Sequence, residues 1–132
     1  MRAHDNDIVG YEVDGRGRRI ILHTENTYVP EPHPRLDVVF AGVELFQFRY
    51  ADLVSILTEI TEIPLREALE RMTDEFAAGH HLCGWPAGWS LEPARKEARL
   101  RELAAAGARF FEIGSAIGFE GWVVASGFDY VG

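Results

Sequence analysis

Between residues 8 and 25 the chain reads IVGYEVDGRGRRIILHTE, and this stretch permits little besides a β-hairpin. Val9, Tyr11 and Val13 alternate with Gly10, Glu12 and Asp14, the two-residue period of a strand that shows a different face at each step. Asp14-Gly15-Arg16-Gly17 follows, and a D-G pair between two apolar runs is a strong short-range turn signal. The return run holds Ile20, Ile21 and Leu22. In a strand, Ile20 and Leu22 share one face while Ile21 and His23 share the other. One face has to enter a core.

The next segment, NTYVPEPHPR at 26–35, carries three prolines. Each removes a backbone donor and disfavours helix at the residue before it, so a long loop is predicted. LDVVFAGVELFQFR at 36–49 then reads as one long strand or two short ones. Val38 and Phe40 lie on one face, Val39 and Ala41 on the other, and Gly42 marks a bulge or kink. Phe46 and Phe48 continue one face beyond it.

Helical spacing begins after this. In DLVSILTEI, Leu53, Ile56, Leu57 and Ile60 follow the 3–4 rule behind a capping Asp52, which predicts a short amphipathic helix. Pro64 opens a second helix with a buried stripe of Leu65, Leu69, Met72 and Phe76, ending near Gly79. Ser90 and Pro93 open a third over about residues 92–106. There Glu97 and Arg101 form a favourable i,i+4 pair and Gly107 is the stop. The remainder, ARFFEIGSAIGFEGWVVASGFDYV, predicts strands at 109–113 and 121–126 around a glycine-rich loop. The expectation is one α+β domain spanning 1–132. It has an antiparallel sheet built from N-terminal and C-terminal hairpins, with about three helices between them packed on one face.

The 132 residues hold 13 basic and 21 acidic side chains, a formal charge of −8. That disfavours nucleic acid, whose phosphates need clustered Lys and Arg, and suits a basic protein partner. The opening MRAHDNDIVGYEV has no apolar run of signal-peptide length, and nothing approaches the roughly 18 apolar residues of a membrane span. The single cysteine cannot form an internal disulfide. A cytoplasmic location is expected, with no membrane partner.

The segment AGHHLCGWPAGW at 78–89 concentrates the chemistry-bearing residue types. His80, His81 and Cys83 would supply two or three ligands to a metal, or a thiolate beside a base. No CxxC or HExxH spacing accompanies them, so a packed connection between helices, anchored by Trp85 and Trp89, is the expected role. GSAIGFEG at 114–121 lacks the GK[ST] of a phosphate loop and the GxSxG of a nucleophile elbow, and reads as a turn. No catalytic residue, cofactor or metal is assigned. Glu67, Glu70 and Asp74 recur at 3–4 spacing on one face of the second helix. These three are the candidate polar contacts for a protein partner, with Trp85 and Trp89 as the apolar ones.

Three stretches taken together, DIVGYEVDGRGRRIILHTE, DVVFAGVELFQFR and GSAIGFEGWVVAS, resemble a group of small bacterial proteins of the polymorphic-toxin immunity type. The resemblance rests on strands and turns and carries over no site residue. It implies a non-enzymatic protein that binds and neutralises a cognate toxin. Two other classes stay open at this point: a small metal- or thiol-dependent hydrolase using His80, His81 and Cys83, and an accessory subunit of a cellular complex.

Overall fold

A computed structural model describes residues 3–50, 55–77 and 92–132. Its elements run β1 (Asp7–Asp14), β2 (Arg19–Glu25), β3 (Arg35–Ala41), β4 (Leu45–Tyr50), β5 (Ile56–Ile63), α1 (Leu65–Ala77), α2 (Pro93–Ala105), β6 (Arg109–Ile117), β7 (Phe119–Ala125) and β8 (Gly127–Val131). The eight strands join one sheet in the order β4-β7-β6-β5-β1-β2-β3-β8, and every pairing is antiparallel. The α+β class therefore stands. The sheet is not the product of two terminal hairpins, however, because β3, β4 and β5 from the middle of the chain all enter it.

The sheet folds over on itself. β5 meets β1 at one paired position, Asp7 opposite Ile56. At the far side the chain turns corners from β3 into β4 and from β7 into β8. Gly42, with a φ of 62° that favours glycine, makes the first corner. Ser126 makes the second and binds the carbonyl of Ala41 through both its N–H and its hydroxyl, at 2.9 and 2.8 Å. Two four-stranded halves, β1-β2-β3-β8 and β4-β7-β6-β5, thus face each other. Alternation decides what lies between them: Ile20, Leu22, Val38 and Phe40 from one half, and Phe111, Ile113, Phe119 and Val123 from the other, all buried. Aromatic pairs cross the gap, Phe40 to Phe111 at 6.0 Å, Phe111 to Phe128 at 5.2 Å and Tyr11 to Phe48 at 4.9 Å between ring centres.

A second core lies behind the β4-β7-β6-β5 half. Ala68, Leu69 and Met72 of α1 and Leu103 of α2 bury against Phe110 and Val124, with Leu45, Ile63 and Trp122 at its margin. Phe110 and Trp122 stack at 5.5 Å. The helices form where the 3–4 spacing of their apolar residues meets this outward apolar face. Pro93 occupies the first turn of α2, and Gly107, with a φ of 76°, follows its end.

Two expectations are corrected. The segment at 56–60 is not a helix but the start of β5. Five of its eight residues, Ile56, Thr58, Ile60, Thr61 and Ile63, are β-branched, which favours a strand. The helix-like spacing of Leu57 and Ile60 has another origin. Leu57 lies opposite Ser115 and Glu59 opposite Gly114, leaving Thr58 as an extra residue. That bulge shifts the parity of the strand, so residues three apart enter the same core. Asp52 and Leu53 lie outside the described residues. The second correction concerns 114–121, which is no loop. β6 and β7 run on until only Gly118 separates them, at a φ of 79° that favours glycine. A third C-terminal strand, β8, then pairs with β3.

The proline-rich segment between β2 and β3 closes on itself. Asn26 donates its N–H to the carbonyl of Pro34 at 2.9 Å, and a ring nitrogen of His33 lies 2.7 Å from the carbonyl of Val29.

Candidate binding surface

The helices cover one outer face of the folded sheet. The opposite one, on β1-β2-β3-β8, is reached by neither helix core. Its side chains follow from register. Ile20, Leu22, Val38 and Phe40 point inward, so their alternates Arg19, Ile21, His23 and Glu25 on β2 and Arg35, Asp37, Val39 and Ala41 on β3 point outward. Pairing extends these rows to the flanking strands. Glu12 lies opposite Ile21, and Val39 opposite Asp129, so one row across four strands reads Glu12, Ile21, Val39, Asp129. The row on one side reads Gly10, His23, Asp37, Val131. The row on the other reads Asp14, Arg19, Ala41, Gly127. Asp7, Glu25 and Arg35 complete a fourth.

The face is acidic and has an apolar middle. Asp7, Glu12, Asp14, Glu25, Asp37 and Asp129 supply six carboxylates against the two guanidiniums of Arg19 and Arg35. Arg19 reaches Asp14 at 3.5 Å and Arg35 reaches Asp37 at 3.3 Å. The N–H of Gly17 donates to Asp14 and, with Arg19, holds its carboxyl below the ordinary carboxylate range. Ile21 and Val39 are half-buried, with no helix above them among the described residues, and Val131 is 53% exposed.

His23 anchors one end of this middle. Its Nδ1 lies 2.8 Å from Asp37 Oδ1 and its Nε2 lies 3.2 Å from Glu12 Oε2. The ring is 16% exposed, while Glu12 is 67% exposed. A carboxylate-oriented imidazole is half of a general-base arrangement. Here the second nitrogen faces another carboxylate, and no serine, threonine or cysteine shares this face among the described residues. Asp37 and Glu12 sit on opposite edges of the ring rather than around a common point. Among the described residues no three His, Cys, Asp or Glu side chains gather as a metal would need. What the arrangement does is fix His23 and tie three strands together through their outward side chains.

The residues singled out from sequence fall elsewhere. Glu67 and Glu70 are exposed on α1. Arg66 stands beside them and grips Glu97 of α2 with its two terminal guanidinium nitrogens. This contact holds the Glu97 carboxyl below its ordinary range and raises Arg66, to which Glu70 contributes. That helix face is mixed in charge where the sheet face is acidic. The side chain of Asp74 lies outside the described residues, as do Trp85, Trp89, His80, His81 and Cys83. Between α1 and the sheet is a cavity of about 250 Å³ lined in part by Arg71, Met72, Phe110, Glu112 and Trp122, below the volume of most small-molecule sites.

Sequence reading missed Glu12, Ile21, Val39 and Asp129 as a group. Ile21 and His23 were legible as a shared strand face. Which neighbours stand beside them depends on register between strands up to 117 residues apart in sequence, Glu12 to Asp129.

No protein-family model matches this chain, and no curated protein or solved structure matches it. No helix among the described residues is long and apolar enough to cross a membrane.

Proposed function

We propose that this chain is a non-enzymatic protein-binding domain, an immunity protein that neutralises a basic toxin in the bacterial cytoplasm. The observation that carries the reading is the sheet face of β1-β2-β3-β8. Six carboxylates stand there against two guanidiniums, around the half-exposed pair Ile21 and Val39. An acidic rim accelerates encounter with a cationic protein, and a small apolar centre supplies the contact that excludes water. The net negative charge of the face opposes nucleic acid and opposes self-association face to face.

Tagged protein is purified gently from its own cells in three forms: wild type, Glu12→Lys/Asp129→Lys, and Glu67→Lys/Glu70→Lys. A stoichiometric basic protein retained by the wild type and the α1 variant, but lost from the sheet variant, supports the reading. The immunity role requires in addition that the partner alone arrests growth and that co-expression restores it. Retention by the sheet variant and loss from the α1 variant would move the site to α1. Absence of any bound protein from the wild type would overturn the binding reading.

A further inference from the structure

We infer that the element received by the β1-β2-β3-β8 face is a basic amphipathic helix lying along the channel between β2 and β3. This rests on the protein-binding reading above and specifies what the partner presents. The channel has a floor and two walls. Its floor is Ala41, Ile21 and Val39, with the orienting pair His23–Asp37 beyond. Its walls are Glu12 on β1 and Asp129 on β8, at the two ends of one cross-strand row. Three strand spacings separate those two residues, about 14 Å. A helix with its side chains is roughly 10–12 Å across, so the row is about one helix wide from backbone to backbone. An apolar stripe then meets Ile21 and Val39 while Lys or Arg on either flank reaches Glu12 and Asp129. Gly10 and Gly127, at opposite corners, add no side chain to the walls. A Cβ built at Gly10 meets nothing within 4 Å, and one at Gly127 meets only the tip of Arg109, at 3.9 Å.

The other outer face gives the precedent within this molecule, for there α1 and α2 lie on the sheet. The β1-β2-β3-β8 half is likewise four antiparallel strands and has no helix of its own among the described residues. A second copy of this chain is the wrong occupant, since two such faces would bring twelve carboxylates together against four guanidiniums. An extended strand is the rival. It would add beside β8, the last strand in the order of the sheet, read backbone instead of Ile21 and Val39, and leave Glu12 untouched.

The test uses the full chain and two synthetic peptides of about 14 residues, long enough for the roughly 20 Å of β2. Both contain only leucine and lysine in equal proportion. One is arranged with helical period and the other with period two. Each is titrated into isotope-labelled protein at low salt while backbone amide shifts are followed. The expected result is that the helical-period peptide perturbs Ile21, Val39, Ala41, Glu12 and Asp129, gains helicity on binding and binds about tenfold more weakly to Glu12→Gln/Asp129→Gln. Preferential binding of the period-two peptide with shifts along β8 would overturn the helix and leave the protein-binding reading standing. Shifts scattered over α2 and the turn carboxylates, insensitive to Glu12→Gln/Asp129→Gln, would overturn it too. Failure of the function itself shows elsewhere, as a cellular partner held without regard to Glu12 and Asp129.

Discussion

Behind the β4-β7-β6-β5 half, the outward side chains under the helices include Leu45, Ile63, Phe110, Trp122 and Val124, with Glu112 and Glu120 beside them. Behind the β1-β2-β3-β8 half, they are mostly Glu12, Arg19, His23, Glu25, Asp37 and Asp129. Facing inward, the two halves contribute alike to one core, through Phe40 and Phe111 in particular. Two large aromatic rings on an outward face need a cover, because fully burying a side chain of that size is worth about 1.5–3 kcal/mol. The chain supplies that cover with α1 and α2. A face of carboxylates needs none, and water serves it. The residual apolar content of the acidic face, Ile21 and Val39, is too small to demand a layer of its own.

The joint between the halves is the most sensitive place to break this comparison. β5 pairs with β6 along its length and with β1 only at Asp7. Leu57 is fully buried beside that junction because Thr58 is an extra residue. Deleting Thr58 reverses the parity, so either Leu57 or the Ile60 set leaves the core. The expected cost is about 3 kcal/mol or more, read as a collapse of the denaturation midpoint. Wild-type-like unfolding of the deletion would show that the bulge does not set the register.

The helix-covered face comes next. Phe110 is buried and stacked on Trp122, and Phe110→Ala should cost about 3–5 kcal/mol in chemical denaturation. The matching change on the open face, Ile21→Ala or Val39→Ala, should cost about 1 kcal/mol and appear chiefly as weaker partner binding. Equal losses of stability from the two faces would mean that the open face is covered after all.

Much of this comparison is legible in the sequence, and its limits have physical causes. The D-G turn and the alternation around it locate β1 and β2, because turn chemistry and period are local. Leu65, Leu69 and Met72 locate α1 for the same reason. β5 was hidden because the bulge at Thr58 puts Leu57 and Ile60 on one face at helical spacing. β8 was hidden in plain alternation, with Phe128 and Tyr130 inward and Asp129 outward, because Ser126-Gly127 reads as an end rather than a corner. The acidic face was not legible at all. Glu12, Asp37 and Asp129 belong to three strands, and nothing local states that those strands are neighbours.

Charge gives a sharper contrast between the halves. The second half uses its exposed ions in pairs. Arg109 grips Glu62 with two nitrogens while Arg66 grips Glu97. These contacts hold both carboxyls below their ordinary range, the hydrogen bond from the arginine being the main cause in each. A carboxyl depressed in the folded state adds stability that is complete above its unfolded value, near 4.5, and is lost as pH falls through the lower folded one. Replacing Glu62 and Glu97 by glutamine should therefore flatten the acid limb of a stability–pH curve below that value. The change is small because both pairs are exposed and screened. An unaltered limb would assign the acid sensitivity to other carboxyls.

The smallest stability effect belongs to the open face, and its sign carries the argument. Glu12 and Asp129 add to an excess of carboxylates that repel one another in the free protein. Glu12→Gln/Asp129→Gln removes that repulsion, touches neither the inner core nor the helices, and leaves at position 12 an amide that can still hydrogen-bond His23. Stability should stay within about 0.5 kcal/mol of wild type and lie on the favourable side, while capture of a basic partner falls and its salt dependence weakens. That outcome would assign the charge of this face to contact with something else rather than to the fold. If the double variant proved less stable than wild type and bound the partner as before, these carboxylates would be holding the sheet together, and the contrast between the two faces would be one of packing alone.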